Sequence, residues 1–172
     1  MKRTPLVIDL PYPNFEGIEQ SVYNAMVITP AYAGLHGELS AILQYTYHFF
    51  YFEEYNYRDI SEVLFRISLA EMEHLEILGK LLLKLGVDPV FSMCPPYQYN
   101  FYNTSKINYN KTPQKMLLDD ISGELSAINE YENMMKRLKS EEVSAVISRI
   151  ILDEQLHVKA LKECLESISK TK

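Results

Sequence analysis

The amino-acid sequence predicts an all-α protein, a four-helix bundle in which two antiparallel helical hairpins are joined by a long crossover. Three observations carry that expectation. Four long segments place apolar residues at helical spacing, and no segment alternates as a strand would. The segments fall into two pairs with only a few residues inside each pair, so each pair must fold back on itself, while about 25 residues separate the pairs. The second pair also repeats the first in sequence. At 172 residues, 47% of them apolar, the chain suits one domain that buries roughly 70% of its unfolded surface without staples.

Residues 1–29 contain prolines 5, 11 and 13 and read as an extended N-terminal arm, with room for a short helix from Ile18 to Ile28. The bundle is expected over residues 30–172. Its first helix runs from Pro30 to Glu54, with Thr29 as N-cap and proline at the first helical position, where its missing N–H costs nothing. The second runs from Asp59 to Leu85, opened by an Asp59/Glu62 capping box and stopped by Gly86. The crossover covers about 87–111 and is rich in Pro, Asn and Tyr; that length spans the roughly 30 Å of a bundle easily. The third helix starts at Thr112-Pro113 and reaches Lys139, and Ser140 caps a fourth that ends near Ser167. The end of the first helix is aromatic on every side (Tyr45, Tyr47, Phe49, Phe50, Tyr51, Phe52, Tyr55, Tyr57). A helix apolar all round is buried by more than its own bundle, so a subunit interface is expected there, in a homodimer or a higher homo-oligomer.

Composition removes several classes of function. Lys and Arg number 17 against 23 Asp and Glu, a net charge of −6, which argues against nucleic acid as a partner. No window approaches the ~18–20 apolar residues of a membrane span, and the run Leu6 to Leu10 is broken by Asp9 and stopped by Pro11. A cytoplasmic location is the expectation. Cys94 and Cys164 show no CxxC spacing, which excludes a zinc ribbon, a rubredoxin-type iron site and a disulfide framework; they read as two reduced thiols.

The repeat points to chemistry. Gly37-Glu38-Leu39-Ser40-Ala41-Ile42-Leu43-Gln44-Tyr45 returns 86 residues later as Gly123-Glu124-Leu125-Ser126-Ala127-Ile128-Asn129-Glu130-Tyr131. Glu71-Met72-Glu73-His74 is echoed 83 residues later by Glu154-Gln155-Leu156-His157. Each hairpin thus offers one Glu from its first helix and Glu-x-x-His from its second. Residues i and i+3 are neighbours on one helical face, so Glu71 with His74, and Glu154 with His157, can each grip an ion. Glu38 and Glu124 fall near mid-helix among apolar flanks, and at 1.5 Å per residue the donors lie about 20–24 Å from their hairpin turns. Four carboxylates meeting in a low-dielectric core would repel and partly protonate, whereas two divalent cations balance them. The candidate metal ligands are therefore Glu38, Glu71, His74, Glu124, Glu154 and His157.

Further side chains flank that set. Tyr45 and Tyr131 follow Glu38 and Glu124 by two helical turns; their hydroxyls either hydrogen-bond the site or pass electrons to it, or the rings simply pack in the core. Asp153 precedes Glu154 and is placed either to accept the second N–H of a ligand histidine or to sit in solvent. Its counterpart in the first half is Ala70, so any such role is asymmetric. Gln44 and Glu130 point off the ligand face, and Glu73 and Glu76 fall on others. His36 and His48 have no Glu three residues earlier and read as core or surface histidines.

The pattern Glu38, Glu71-x-x-His74, Glu124, Glu154-x-x-His157 resembles the ferritin-like di-metal carboxylate superfamily, which carries this ligand set on a bundle with one long crossover. Over residues 30–168 the duplicated Gly-Glu hairpins and their tyrosines most resemble the catalytic domain of rubrerythrin, with manganese catalase as a neighbour. The resemblance implies two iron ions per chain, or manganese in their place, and an oxidoreductase that reacts with hydrogen peroxide or dioxygen and draws on an electron donor. A ferritin-like iron-binding ferroxidase and a manganese catalase are the alternatives. Ala127 stands where many rubrerythrins have an additional Glu, and up to Lys172 neither a rubredoxin domain nor the fifth helix of cage ferritins follows.

Overall fold

The computed structural model describes residues 3–91 and 104–170, and among these every regular element is an α-helix. There are five: α1 (Val22–Ala33), α2 (Glu38–Glu54), α3 (Arg58–Lys84), α4 (Pro113–Met135) and α5 (Glu141–Lys170). Helices α2 and α3 form one antiparallel hairpin and α4 and α5 the other, as the short connections require. The first turn is made by Asn56 in the left-handed region (φ 61°), and the Tyr57 N–H closes it on the Phe52 carbonyl. Gly86 (φ 86°) ends the second helix as expected, with the Val87 N–H on the Leu82 carbonyl. Ser140 caps α5 through Val143 N–H, and Pro113 opens α4 at its first turn, although Thr112 makes no side-chain cap bond.

Three local expectations are corrected. Thr29-Pro30 does not begin a helix: both residues lie inside α1, where the Thr29 hydroxyl bonds back to the Ala25 carbonyl. The cap of that helix is Ser21, whose Oγ accepts from Asn24 N–H. The Asp59/Glu62 capping box is absent because α3 begins one residue earlier, at Arg58, which puts Asp59 within the first turn. The first bundle helix begins at Glu38, after a break at Gly34–Gly37, so Glu38 sits at a helix start and not at mid-helix. Both glycines are compulsory. A Cβ on Gly34 would lie 2.3 Å from the Pro30 carbonyl oxygen, and one on Gly37 would lie 2.3 Å from that of Ala31. The chain folds too tightly on itself there for any side chain.

Helix α1 lies outside the bundle proper and packs on α3, where the Tyr32 ring covers Gly79. Two apolar cores result. One joins Ile28, Leu78, Leu81, Val146 and Ile150 at the α1 end. The other joins Phe52, Leu64, Met116, Leu117 and Leu161 at the opposite end. Each such fully buried side chain contributes roughly 1.5–3 kcal/mol. The arm runs extended across the bundle, tied down by main-chain hydrogen bonds. The described part of the crossover returns as 104–111, where Asn108 is clamped by Gln44 and His48. Cys94 lies outside the described residues, while Cys164 is a buried free thiol that burial, then the Glu163 charge, pushes up to about 11. Among the described residues no helix is long and apolar enough to cross a membrane. Phe50 of α2 is 59% exposed on the aromatic end where an interface is expected.

Candidate metal centre

The six side chains singled out by the repeat meet between the two apolar cores. Glu38 comes from the start of α2, Glu71 and His74 from α3, Glu124 from the middle of α4, and Glu154 and His157 from α5. None is more than 4% exposed. Helical spacing sets the local pairs: His74 Nδ1 lies 3.2 Å from Glu71 Oε2, and His157 Nδ1 lies 2.9 Å from Glu154 Oε2. The hairpins then interlock. His74 Nδ1 is also 3.3 Å from Glu154 Oε1, and His157 Nδ1 is 3.2 Å from Glu71 Oε1. Glu38 Oε2 closes on His74 Nδ1 at 3.9 Å and Glu124 Oε1 on His157 Nδ1 at 3.5 Å.

Two overlapping donor groups follow. Glu38, Glu71, His74 and Glu154 form one, Glu71, Glu124, Glu154 and His157 the other, and within each the donor atoms all lie within 4.8 Å of one another. Glu71 and Glu154 belong to both. These two carboxylates also hold the buried oxygens Glu71 Oε1 and Glu154 Oε1, which face the Nδ1 atoms of His157 and His74 and are poorly aligned to accept from them. A buried acceptor left unpaired costs about 1–3 kcal/mol, and a cation removes that cost.

The electrostatics divide the carboxylates. Burial, and then the charges of Glu71 and Glu154, push Glu38 well above the usual carboxylate range. Glu124 is raised by burial, then by Glu154 and Glu71. Burial acts the same way on Glu71, but hydrogen bonds from His157 and His74 outweigh it and hold Glu71 well below. Glu154 is likewise lowered, burial and the Glu71 charge being overcome by His74 and His157. Both histidines are raised well above their ordinary value: burial opposes this, and Glu154 for His74 and Glu124 for His157 prevail. The cluster is arranged to collect positive charge.

The flanking side chains take defined places. The tyrosine hydroxyls do hydrogen-bond the site, and they do so crosswise: Tyr45 donates to Glu124 and Tyr131 to Glu38, each reaching the other hairpin's glutamate. Asp153 is wholly buried and accepts His74 Nε2–H on Oδ2 at 3.2 Å. Three more groups fix that carboxylate: Ile8 N–H at 2.8 Å, the Tyr12 hydroxyl at 2.5 Å and Arg149 Nη1 at 2.7 Å. Periodicity reveals nothing of Ile8 and Tyr12, which stand about 140 residues away on the arm. His48 is a core histidine, its Nδ1 2.8 Å from Asp120 Oδ1, and His36 is exposed. Gln44 bonds Asp120 and stays out of the cluster.

A cavity of about 290 Å³ leads to the cluster between α2 and α4. Its wall uses the small residues of the repeat, Gly37 and Ala41 on one side and Gly123 and Ala127 on the other, with Glu38 and Glu124 at its floor. Gly123 has open space where a Cβ would stand. The repeated Gly-Glu-Leu-Ser-Ala therefore encodes both a carboxylate and an opening beside it.

Comparison with known proteins agrees with this architecture. The family model "Ferritin-like domain" matches residues 33–171. A manganese catalase from Anabaena superposes with a TM-score of 0.79 at 24% identity, over 94% of this chain and 80% of that one. A bacterioferritin from Rhodobacter capsulatus, described with a metal-free dinuclear site, gives 0.71 at 20% identity over 90% and 91%. A dodecameric thioferritin from Bacteroides fragilis gives 0.69 at 18% identity over 86% and 89%. No curated protein sequence matches the chain.

Proposed function

The chain belongs to the ferritin-like family, and from that premise we propose that it is a di-metal carboxylate oxidoreductase of rubrerythrin-like type that reacts with hydrogen peroxide or dioxygen. The observation that carries the reading is the pair of overlapping donor groups sharing Glu71 and Glu154. Glu71 and Glu154 would bridge two ions, Glu38 and Glu124 would each complete one end, and His74 and His157 would supply nitrogen through Nδ1. Hard carboxylate oxygens with imidazole, and no thiolate in the set, suit iron or manganese. When bound, two such ions would supply a two-electron couple to this site.

The chain's own residues do the rest. Asp153 and the Leu6 carbonyl hold the Nε2–H of the two histidines, which keeps the Nδ1 lone pairs aimed at the cluster. Tyr45 and Tyr131 hold Glu124 and Glu38 in place by donating a hydroxyl proton that burial, and then the glutamate charge, keeps on each phenol. The cavity between Gly37/Ala41 and Gly123/Ala127 admits a small oxidant and confines it beside Glu38 and Glu124. Ala127 leaves that entrance open where an additional Glu would narrow it.

The decisive experiment loads the purified chain with iron or manganese and follows peroxide loss with and without a reductant. Consumption that needs a reductant supports the peroxidase reading. Dioxygen release without one assigns a catalase, iron retained far beyond two per chain assigns a storage ferroxidase, and no turnover with either metal overturns the enzyme reading.

A further inference from the structure

The two halves of the bundle differ at one position that matters to the histidines, and the arm fills the difference. Arg149 and Asp153 stand one turn apart on α5 as a buried ion pair. The repeat places Arg66 and Ala70 at the same stations on α3, 83 residues earlier. The carboxylate that takes the Nε2–H of His74 thus has no counterpart for His157. In its place is a main-chain carbonyl: His157 Nε2–H donates to Leu6 O at 2.9 Å. Arg66 fixes the arm at this point twice, its Nε donating to the Thr4 carbonyl at 3.0 Å and its own carbonyl accepting from Leu6 N–H at 2.9 Å. Arg149 does the same further along, donating to the carbonyls of Leu10 and Ile8. The two arginines, equivalent in the repeat, clamp one strand of arm that runs from one histidine to the other.

We propose that arm residues 4–6 are a positioning element of the metal site, the Leu6 carbonyl doing for His157 what the Asp153 carboxylate does for His74. The inference rests on the di-metal reading above and adds an asymmetry to it. An imidazole whose N–H meets a carboxylate is a stronger donor than one whose N–H meets a neutral carbonyl. The two ions are therefore held unequally: the one beside His74 more tightly, and the one beside His157 in a manner that depends on the arm.

Calorimetric titration of the metal-free protein with Mn²⁺ tests this on four chains: the full chain, the chain lacking residues 2–6, that deletion combined with Ala70→Asp, and full-length Arg66→Ala. The deletion retains Ile8 and Tyr12 on Asp153, so the His74 half serves as an internal control. One of two Mn²⁺ per chain is expected to weaken about 10–100-fold in the deletion while the other keeps its affinity. Ala70→Asp, which places a carboxylate one turn from Arg66, is expected to restore the lost affinity, and Arg66→Ala to weaken the same ion with the arm intact. Helical circular dichroism of the metal-free chains shows whether each is folded; if the deletion is not, Arg66→Ala decides alone. Unchanged affinities, equal weakening of both ions, or a loss that Ala70→Asp leaves unrepaired would overturn the proposal. A full-length chain that takes up no Mn²⁺ overturns the di-metal reading itself, an outcome distinct from the loss of one ion.

Discussion

Glu71 and Glu154 each face both histidines, and this makes them unlike the other two glutamates. Replacing either by Gln removes a donor from both groups at once, so both ions should be lost, whereas Glu38→Gln or Glu124→Gln should spare one. Elemental analysis of the purified variants reads the difference directly. The crossed tyrosines invite a milder change. Tyr45→Phe leaves a buried Glu124 oxygen without its donor and is expected to cost the metal-free fold roughly 1–3 kcal/mol, measured by urea unfolding, with metal stoichiometry unchanged. Protonation gives a further expectation. Glu38, Glu124, His74 and His157 all hold protons above their ordinary range in the metal-free chain. Ligation must expel those protons, so metal uptake should acidify a weakly buffered solution and affinity should fall as pH is lowered. Titrations in buffers of different ionisation enthalpy count the protons; a count of zero would contradict this arrangement.

Among the elements, the break between α1 and α2 has the sharpest consequence. Because a Cβ on Gly37 meets the Ala31 carbonyl at 2.3 Å, Gly37→Ala should lower stability by roughly 1–3 kcal/mol and displace the neighbouring Glu38. Gly123→Ala, the same change at the repeat-equivalent position, meets open space inside α4 and should raise stability by roughly 0.5–1 kcal/mol. A pair of thermal melts compares them. This break was hidden from sequence reasoning because helical periodicity continues through it: Ala31, Tyr32, Leu35 and Leu39 keep an apolar stripe whether or not the helix does. Proline at 30 then suggests a start that the backbone does not make. The hairpins were legible for the opposite reason, since short connections leave antiparallel packing as the sole outcome. The ligand glutamates and histidines were legible because duplication printed them twice. Asp153 could be suspected from its place beside Glu154, but Leu6, Ile8 and Tyr12 could not. The first acts through a carbonyl and the second through an N–H, groups that every residue except proline possesses, and the third stands far from any ligand in the chain.

For the molecule as a whole, the cluster is a polar layer between two apolar cores, and its unpaired buried oxygens make the metal-free fold weaker than it need be. Metal at a hundredfold excess over its dissociation constant should add about 2.7 kcal/mol for each ion bound. For a chain of this length that raises the melting temperature by roughly 2–4 °C per kcal/mol, a shift that scanning calorimetry at several metal concentrations resolves. The crossing of the tyrosines has a consequence at the same scale. Neither hairpin owns a finished set: each carries the phenol that the other's glutamate requires, and each lends one of its glutamates to the donor group that the other hairpin otherwise fills. A lone hairpin is thus a half-lock whose natural complement is a second copy of itself. The two halves are nevertheless not interchangeable, since the carboxylate on α5 has only Ala70 in its place on α3.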